Sequence, residues 1–210
     1  MQDLLQLWDA TVSRHAGRAV QVTEVTATGR VLLECWSEPH RRYHDLSHLR
    51  EVLSYIDELA DHATDVDAVR LAAWYHDAVY AGRPDDEERS ARLAEEDLTA
   101  LGVSAAFVAE VARLVRMTVE HDPAPDDRNG AVLSDADLAV LALPREQYRR
   151  NSALIRQEYA HVSDEAFRAG RAAVIEALLA GPGLYRTPLG QRLWEAAARA
   201  NMDAELTTLR

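Results

Sequence analysis

Apolar side chains recur along most of this chain every three or four residues, the spacing that lines one face of an α-helix. Leu4, Leu5, Trp8 and Val12 predict a first helix over about Gln2–His15, with Gly17 as its stop. Val20 to Val25 alternates apolar and polar residues, as a strand would, but a second helix over about Thr23–Trp36 is the preferred reading. Leu46, Leu49, Val52, Leu53, Ile56 and Leu59 mark one face of a strong helix, and Val66, Val69, Ala73 and Trp74 mark the next, ending near Val79. Gly82 and Pro84 make a loop of Ala81–Asp86. Helices follow over Glu87–Leu101, closed by Gly102, and from an N-cap at Ser104 to about Glu120. His121–Gly130 holds two prolines and Asn129-Gly130, and so reads as a loop. Leu133–Leu143 predicts a short helix ended by Pro144, then Glu146–His161 and Asp164–Leu179, the latter capped by Ser163. Gly181-Pro182-Gly183 breaks the chain before a last helix over Thr187–Leu209, with Pro188 at its first position. The sum is an all-α protein without internal repeats.

Composition narrows what such a bundle can do. At 210 residues the chain suits a single domain, 1–210, with a core large enough to need no staples. Hydrophobic residues make up 48% and charged residues 28%, ordinary for a globular protein. A net charge of −12 argues against binding a nucleic-acid duplex, which needs a broad basic face. It leaves room for a small anionic substrate met by a local group of arginines. Cys35 is the one cysteine, so neither an intrachain disulfide nor a thiolate metal cluster can form. There is no basic, apolar leader and no run of about 18 apolar residues, so a cytoplasmic protein away from the membrane is expected. The late helices could pack on the domain or on a second copy, which leaves a homodimer open.

The candidate chemistry sits in two stretches and one distant pair. Tyr43-His44-Asp45-Leu46-Ser47-His48 opens the strong helix, Trp74-Tyr75-His76-Asp77 ends the next, and Asp135-Ala136-Asp137 lies far downstream. His44 and His48 are four apart, so at a helix start both rings share one face. An antiparallel hairpin would bring His48 back to His76-Asp77, and Asp137 would arrive from a third helix. Two imidazole nitrogens and two carboxylates suit one hard or borderline divalent ion, with Mn, Fe, Co, Ni, Zn or Mg all admissible. Four such ligands leave two octahedral positions for a water and a substrate oxygen. His44, one turn from a ligand, can protonate a leaving group. Taken singly, each residue has a plainer role as an N-cap, a solvated helix start or a core side chain; order and spacing carry the argument.

That order, His48, then His76-Asp77, then Asp137, resembles the HD-domain superfamily of metal-dependent phosphohydrolases. Its context is similar to a bacterial subgroup described as predicted metal-dependent phosphohydrolases. The supporting stretches are Pro39-His40-Arg41-Arg42-Tyr43-His44, Ala73-Trp74-Tyr75-His76-Asp77-Ala78-Val79-Tyr80, Glu87-Glu88-Arg89-Ser90-Ala91 and Leu133-Ser134-Asp135-Ala136-Asp137-Leu138, and similarity continues through Arg156-Gln157-Glu158-Tyr159 to Ala198-Arg199-Ala200-Asn201. The resemblance implies an HD-type helical bundle with added N- and C-terminal helices. Its metal-binding core would span about 36–143, with 144–210 packed on it. It also implies His48, His76, Asp77 and Asp137 as ligands of one divalent ion, and His44 as the acid. Asp135 competes with Asp137, and Asp137 is preferred because the second Asp of such pairs is usually the ligand in the superfamily. His121 is a candidate contact to the metal's ligands or to phosphate. Arg41, Arg42, Arg89 and Arg156 are candidate phosphate contacts, and Glu87 could orient a ligand or act as a base. The implied reaction is hydrolysis of a small phosphoester or pyrophosphate, such as a nucleotide, by metal-activated water. The rival is a non-catalytic module that keeps the metal and binds a nucleotide or regulates a partner.

Overall fold

Polar side chains cap the starts of many of the helices, and apolar faces then bind them together. The computed structural model describes residues 1–181 and 183–210. In chain order its α-helices are α1 (Gln2–Val12), α2 (Val22–Cys35), α3 (Leu46–Glu58), α4 (Val66–Tyr75), α5 (Asp86–Ala100), α6 (Ala105–Met117), α7 (Arg128–Leu138), α8 (Arg145–Glu158), α9 (Asp164–Ala180), α10 (Pro188–Leu193) and α11 (Glu195–Leu209). Short 3-10 turns occupy Ala60–His62 and Ala139–Ala142. No strand occurs among the described residues. The ambiguous segment at Val20–Val25 is resolved as helix: the Gln21 side chain and Glu24 cap each other's backbone at the start of α2.

α4 is the centre of the bundle. Asp65 caps it by accepting the amides of Asp67 and Ala68, and Leu71 to Tyr75 are buried on every side. A helix that is apolar all round can lie only where neighbours cover it completely. Here α1, α3, α6 and α7 do so, with α5 against α6 and α2 against α1. The indole N–H of Trp36 donates to the Trp74 carbonyl at 2.9 Å, fastening the end of α2 to the end of α4. Gly29 permits the α1–α2 crossing, because a Cβ there would meet the Trp8 ring at 2.4 Å.

A second apolar cluster joins Tyr148, Ile175, Leu184, Tyr185, Ala198, Met202 and Leu206. Trp194 packs against both clusters, its ring centroid 5.4 Å from Tyr55 and 5.4 Å from Tyr185. That contact explains one departure from the expected elements. The last helix is not continuous: at Trp194 the backbone turns to φ −117°, dividing α10 from α11.

Two further boundaries differ from expectation. Asn129-Gly130 is not in a loop but in the first turn of α7, because Asp127 caps that helix through the Gly130 amide at 2.9 Å. A Cβ at Gly130 would stand 2.3 Å from the Asp127 carboxylate, so the glycine serves close packing of the cap. α4 also stops at Tyr75, short of Val79. The His76 ring takes the Ala73 carbonyl at 2.8 Å, and Arg41 takes those of Asp77 and Ala78 at 2.8 and 3.1 Å. With these carbonyls occupied by side chains, the helical ladder ends.

Candidate metal centre

Three helices deliver the candidate donors to one point. His48 comes from the first turn of α3, where Asp45 accepts the amides of Ser47 and His48 at 2.7 and 3.4 Å. Asp45 is thus the helix cap and not a metal-facing group. His76 and Asp77 follow the end of α4, and Asp137 lies in the last turn of α7. Ligand atoms of His48, His76 and Asp137 all fall within 4.8 Å of one another. Asp137 Oδ1 is 3.0 Å from His48 Nε2 and 3.6 Å from His76 Nε2. Asp77 Oδ2 joins them, 3.2 Å from His76 Nε2 and 3.9 Å from His48 Nε2.

The donor set fits a divalent cation on two counts. A carbonyl can only accept, so His76 Nδ1 must carry the proton that bonds Ala73, which leaves the Nε2 lone pair facing the cluster. That buried Nε2 also has no well-formed hydrogen bond, although two carboxylates lie close. Second, the cluster concentrates negative charge in a buried place. Burial opposes a charge on Asp77, yet His76 outweighs it and holds the carboxyl well below the usual range. Asp137 is likewise driven down against burial by His76 and His48. Burial disfavours charge on His76, but Asp77 and Asp137 raise its proton affinity well above that of an ordinary imidazole. The two carboxylates that draw a proton onto His76 would draw a divalent ion to the same point, and nitrogen–oxygen sets of this kind take first-row divalent ions.

His121 lies beside this group, its Nε2 3.3 Å from Asp137 Oδ2. It holds a left-handed backbone, φ 51°, unusual for a residue with a Cβ. The Met117 carbonyl accepts its amide at 3.1 Å, and the Ser134 hydroxyl donates to its carbonyl at 3.4 Å. Burial lowers the pKa of this imidazole, which favours the neutral ring. His44 stands on the other side, its ring centroid 5.6 Å from that of His48 and 4.4 Å from that of Tyr80.

The remaining candidates divide. Asp135, fully buried, faces away from the cluster and accepts the Arg186 amide, the Thr187 amide and the Thr187 hydroxyl, each at 2.7 Å. Its carboxylate is therefore committed to anchoring the start of α10. Arg41 is not a phosphate contact either. Its guanidinium is buried between Trp36 and Tyr80, at 5.4 and 5.3 Å from the ring centroids, and donates to the carbonyls of His44, Asp77 and Ala78 and to Glu38. It supports the site from behind. Arg156 closes the turn between α8 and α9 through Tyr159, Val162 and Asp164, which removes it from the substrate side. Arg42 and Arg89 are exposed residues, with Arg89 paired to Asp86 at 3.3 Å. Glu87, in the first turn of α5, is half-buried; burial raises its carboxyl pKa, and Asp77 adds to the effect.

One further residue enters the site from outside the candidate set. Glu158, at the end of α8, accepts His44 Nδ1 at 2.7 Å and the Tyr80 hydroxyl at 3.0 Å. Glu158 lies in the stretch Arg156-Gln157-Glu158-Tyr159 that shares the family resemblance, but nothing in local spacing ties residue 158 to residue 44. A groove of about 950 Å³ runs between the Asp122–Ala131 stretch and the Gly183–Glu195 segment, but none of the donor residues lines it.

Histidines and aspartates carried by three helices thus meet at one point that could hold a metal ion. Residues 45–140, from the cap of α3 through α7 to the turn that follows, match the family model of the HD domain. Proteins of this superfamily are mostly metal-dependent hydrolases. No curated protein and no solved structure matches the chain. Among the described residues, no helix is long and apolar enough to cross a membrane.

Proposed function

We propose that this protein hydrolyses a phosphoester or pyrophosphate of a small molecule, a nucleotide being one such substrate, with one divalent ion held by His48, His76, Asp77 and Asp137. The observation that carries the reading is the pinned His76 ring, with Nδ1 bonded to Ala73 and Nε2 turned toward two carboxylates and a second imidazole. When bound, the ion supplies Lewis acidity, lowering the pKa of a water and polarising a phosphoryl oxygen.

The chain's own residues do the rest. Asp77 and Asp137 stay ionised at neutral pH and hold the positive charge in place. Ala73 fixes the tautomer of His76. Water adds to phosphorus, the bond from phosphorus to the leaving oxygen breaks, and His44 gives its proton to that oxygen. Of the four candidate arginines, Arg42 and Arg89 keep exposed side chains that can meet remaining phosphate charge, whereas Arg41 is buried and Arg156 closes the turn between α8 and α9.

Elemental analysis of the purified full chain, beside its Asp77→Ala variant, is the first test. The expected result is about one divalent ion per wild-type chain, lost in the variant, with hydrolysis of p-nitrophenyl phosphate, bis(p-nitrophenyl) phosphate or a nucleoside triphosphate in the wild type alone. Full metal content and full turnover in Asp77→Ala would overturn the assignment.

A further inference from the structure

Glu158 lies outside the stretch that matches the HD domain, yet its carboxylate is bound into the candidate centre. Oε1 accepts three consecutive backbone amides, Arg42 at 2.7 Å, Tyr43 at 2.8 Å and His44 at 2.9 Å. Oε2 accepts His44 Nδ1 at 2.7 Å and the Tyr80 hydroxyl at 3.0 Å. The side chain is 2% exposed, so these five donors take the place of water. Tyr148, near its start, is the one buried residue of the helix that carries it. Apolar packing therefore does little to locate the end of α8, and the carboxylate contacts locate it.

An ionised carboxylate can only accept hydrogen bonds. His44 Nδ1 must then carry a proton, and Nε2, at the opposite edge of the ring, is the nitrogen free to exchange one. Tyr80 shares the same Oε2 and packs against the imidazole, so the ring cannot swing without breaking both contacts. We infer that Glu158 is a positioning residue of this site: supplied by α8, it holds His44 with Nδ1 protonated and Nε2 directed away from α8 toward the His48 side, and it sets Tyr80 beside that ring. The consequence for turnover rests on the reading of His44 as proton donor; the consequence for the tautomer does not.

The test is the Glu158→Gln variant, read by long-range ¹⁵N–¹H correlation of the histidine rings in the Zn(II)-loaded full chain, with His44 assigned by its loss in His44→Asn. The amide oxygen of Gln can still serve the three backbone N–H groups, but its NH₂ then confronts His44 Nδ1, which must accept. The expected result is a protonated Nδ1 in the wild type and a bare Nδ1 with Nε2–H in Glu158→Gln, at unchanged zinc stoichiometry. Hydrolysis of phenyl phosphate, whose leaving oxygen needs a proton far more than p-nitrophenolate does, should fall roughly 100-fold in kcat, the low end for loss of general acid catalysis, while KM changes little. A merely structural glutamate would leave the tautomer unchanged in the folded variant, and that result would overturn the inference. A bare Nδ1 in the wild type would overturn it without any variant, which keeps the test decisive if Glu158→Gln does not fold. If the wild type hydrolyses no phosphoester with any metal, the proposed function fails, and the tautomer alone still decides the role of Glu158.

Discussion

Replacing Arg41 by Met should cost far more than removing any surface arginine. The Arg41 side chain is fully buried, and Met keeps its length and apolar stem while deleting the guanidinium. Three carbonyls, those of His44, Asp77 and Ala78, then lose donors at 3.0, 2.8 and 3.1 Å. An acceptor left unpaired in a buried place costs about 1–3 kcal/mol. Taking the low end because two of the carbonyls border the partly open site, the three together cost about 3–4 kcal/mol. Glu38 is 44% exposed and can turn to water, so its lost ion pair adds little. Against a typical total of about 5–15 kcal/mol this is a large fraction. Urea denaturation measures it: with a slope of about 2 kcal/mol per molar, the midpoint should fall by roughly 1.5–2 M. Arg42→Ala is the control, since that exposed side chain reaches only the Pro39 and Arg41 carbonyls at the surface and should shift stability by under about 0.5 kcal/mol. Equal, small shifts in the two variants would refute the view of Arg41 as the internal strut of the site.

Other outcomes follow from the same contacts. The Glu158 carboxyl is lowered from its ordinary 4.5 to about 2: burial opposes ionisation, but the His44 hydrogen bond and charge and the backbone amides prevail. Its folded value is the lower one, so the stabilisation is complete above about pH 4.5 and is lost as pH falls toward 2. At roughly 3 kcal/mol this should steepen the acid limb of stability in the wild type and leave Glu158→Gln flatter there. Identical acid limbs would contradict it. Asp135→Asn and Asp137→Asn should behave oppositely. The first loosens the Arg186–Thr187 anchor, costs about 1–3 kcal/mol and keeps the metal; the second loses the metal, as elemental analysis of both will show. Chelation should lower the melting temperature of the wild type but not of Asp77→Ala, because only the former has an ion to lose.

The helices of this protein were legible in its sequence because burial and capping are local patterns. The apolar spacing of α3 and the caps Ser104 and Ser163 predict these elements directly. His48, His76, Asp77 and Asp137 could be singled out for the same kind of reason: they keep an order and a spacing that resemble a known family. What the sequence could not reveal is which polar groups are spent elsewhere. Arg41 and Arg42 are neighbours of one residue type, yet one is sealed between two aromatic rings and the other lies in solvent. Asp135 and Asp137 stand two apart on one helix, and only the packing of the Arg186–Thr187 segment turns the first away from the cluster of His48, His76 and Asp137. Glu158 reaches His44 across 114 residues, a pairing no local pattern records. Hydrophobic periodicity follows from one helix meeting water on one side, so a sequence displays it; the partner of a buried charge is chosen only when several helices close on the same point, and that choice belongs to the tertiary structure.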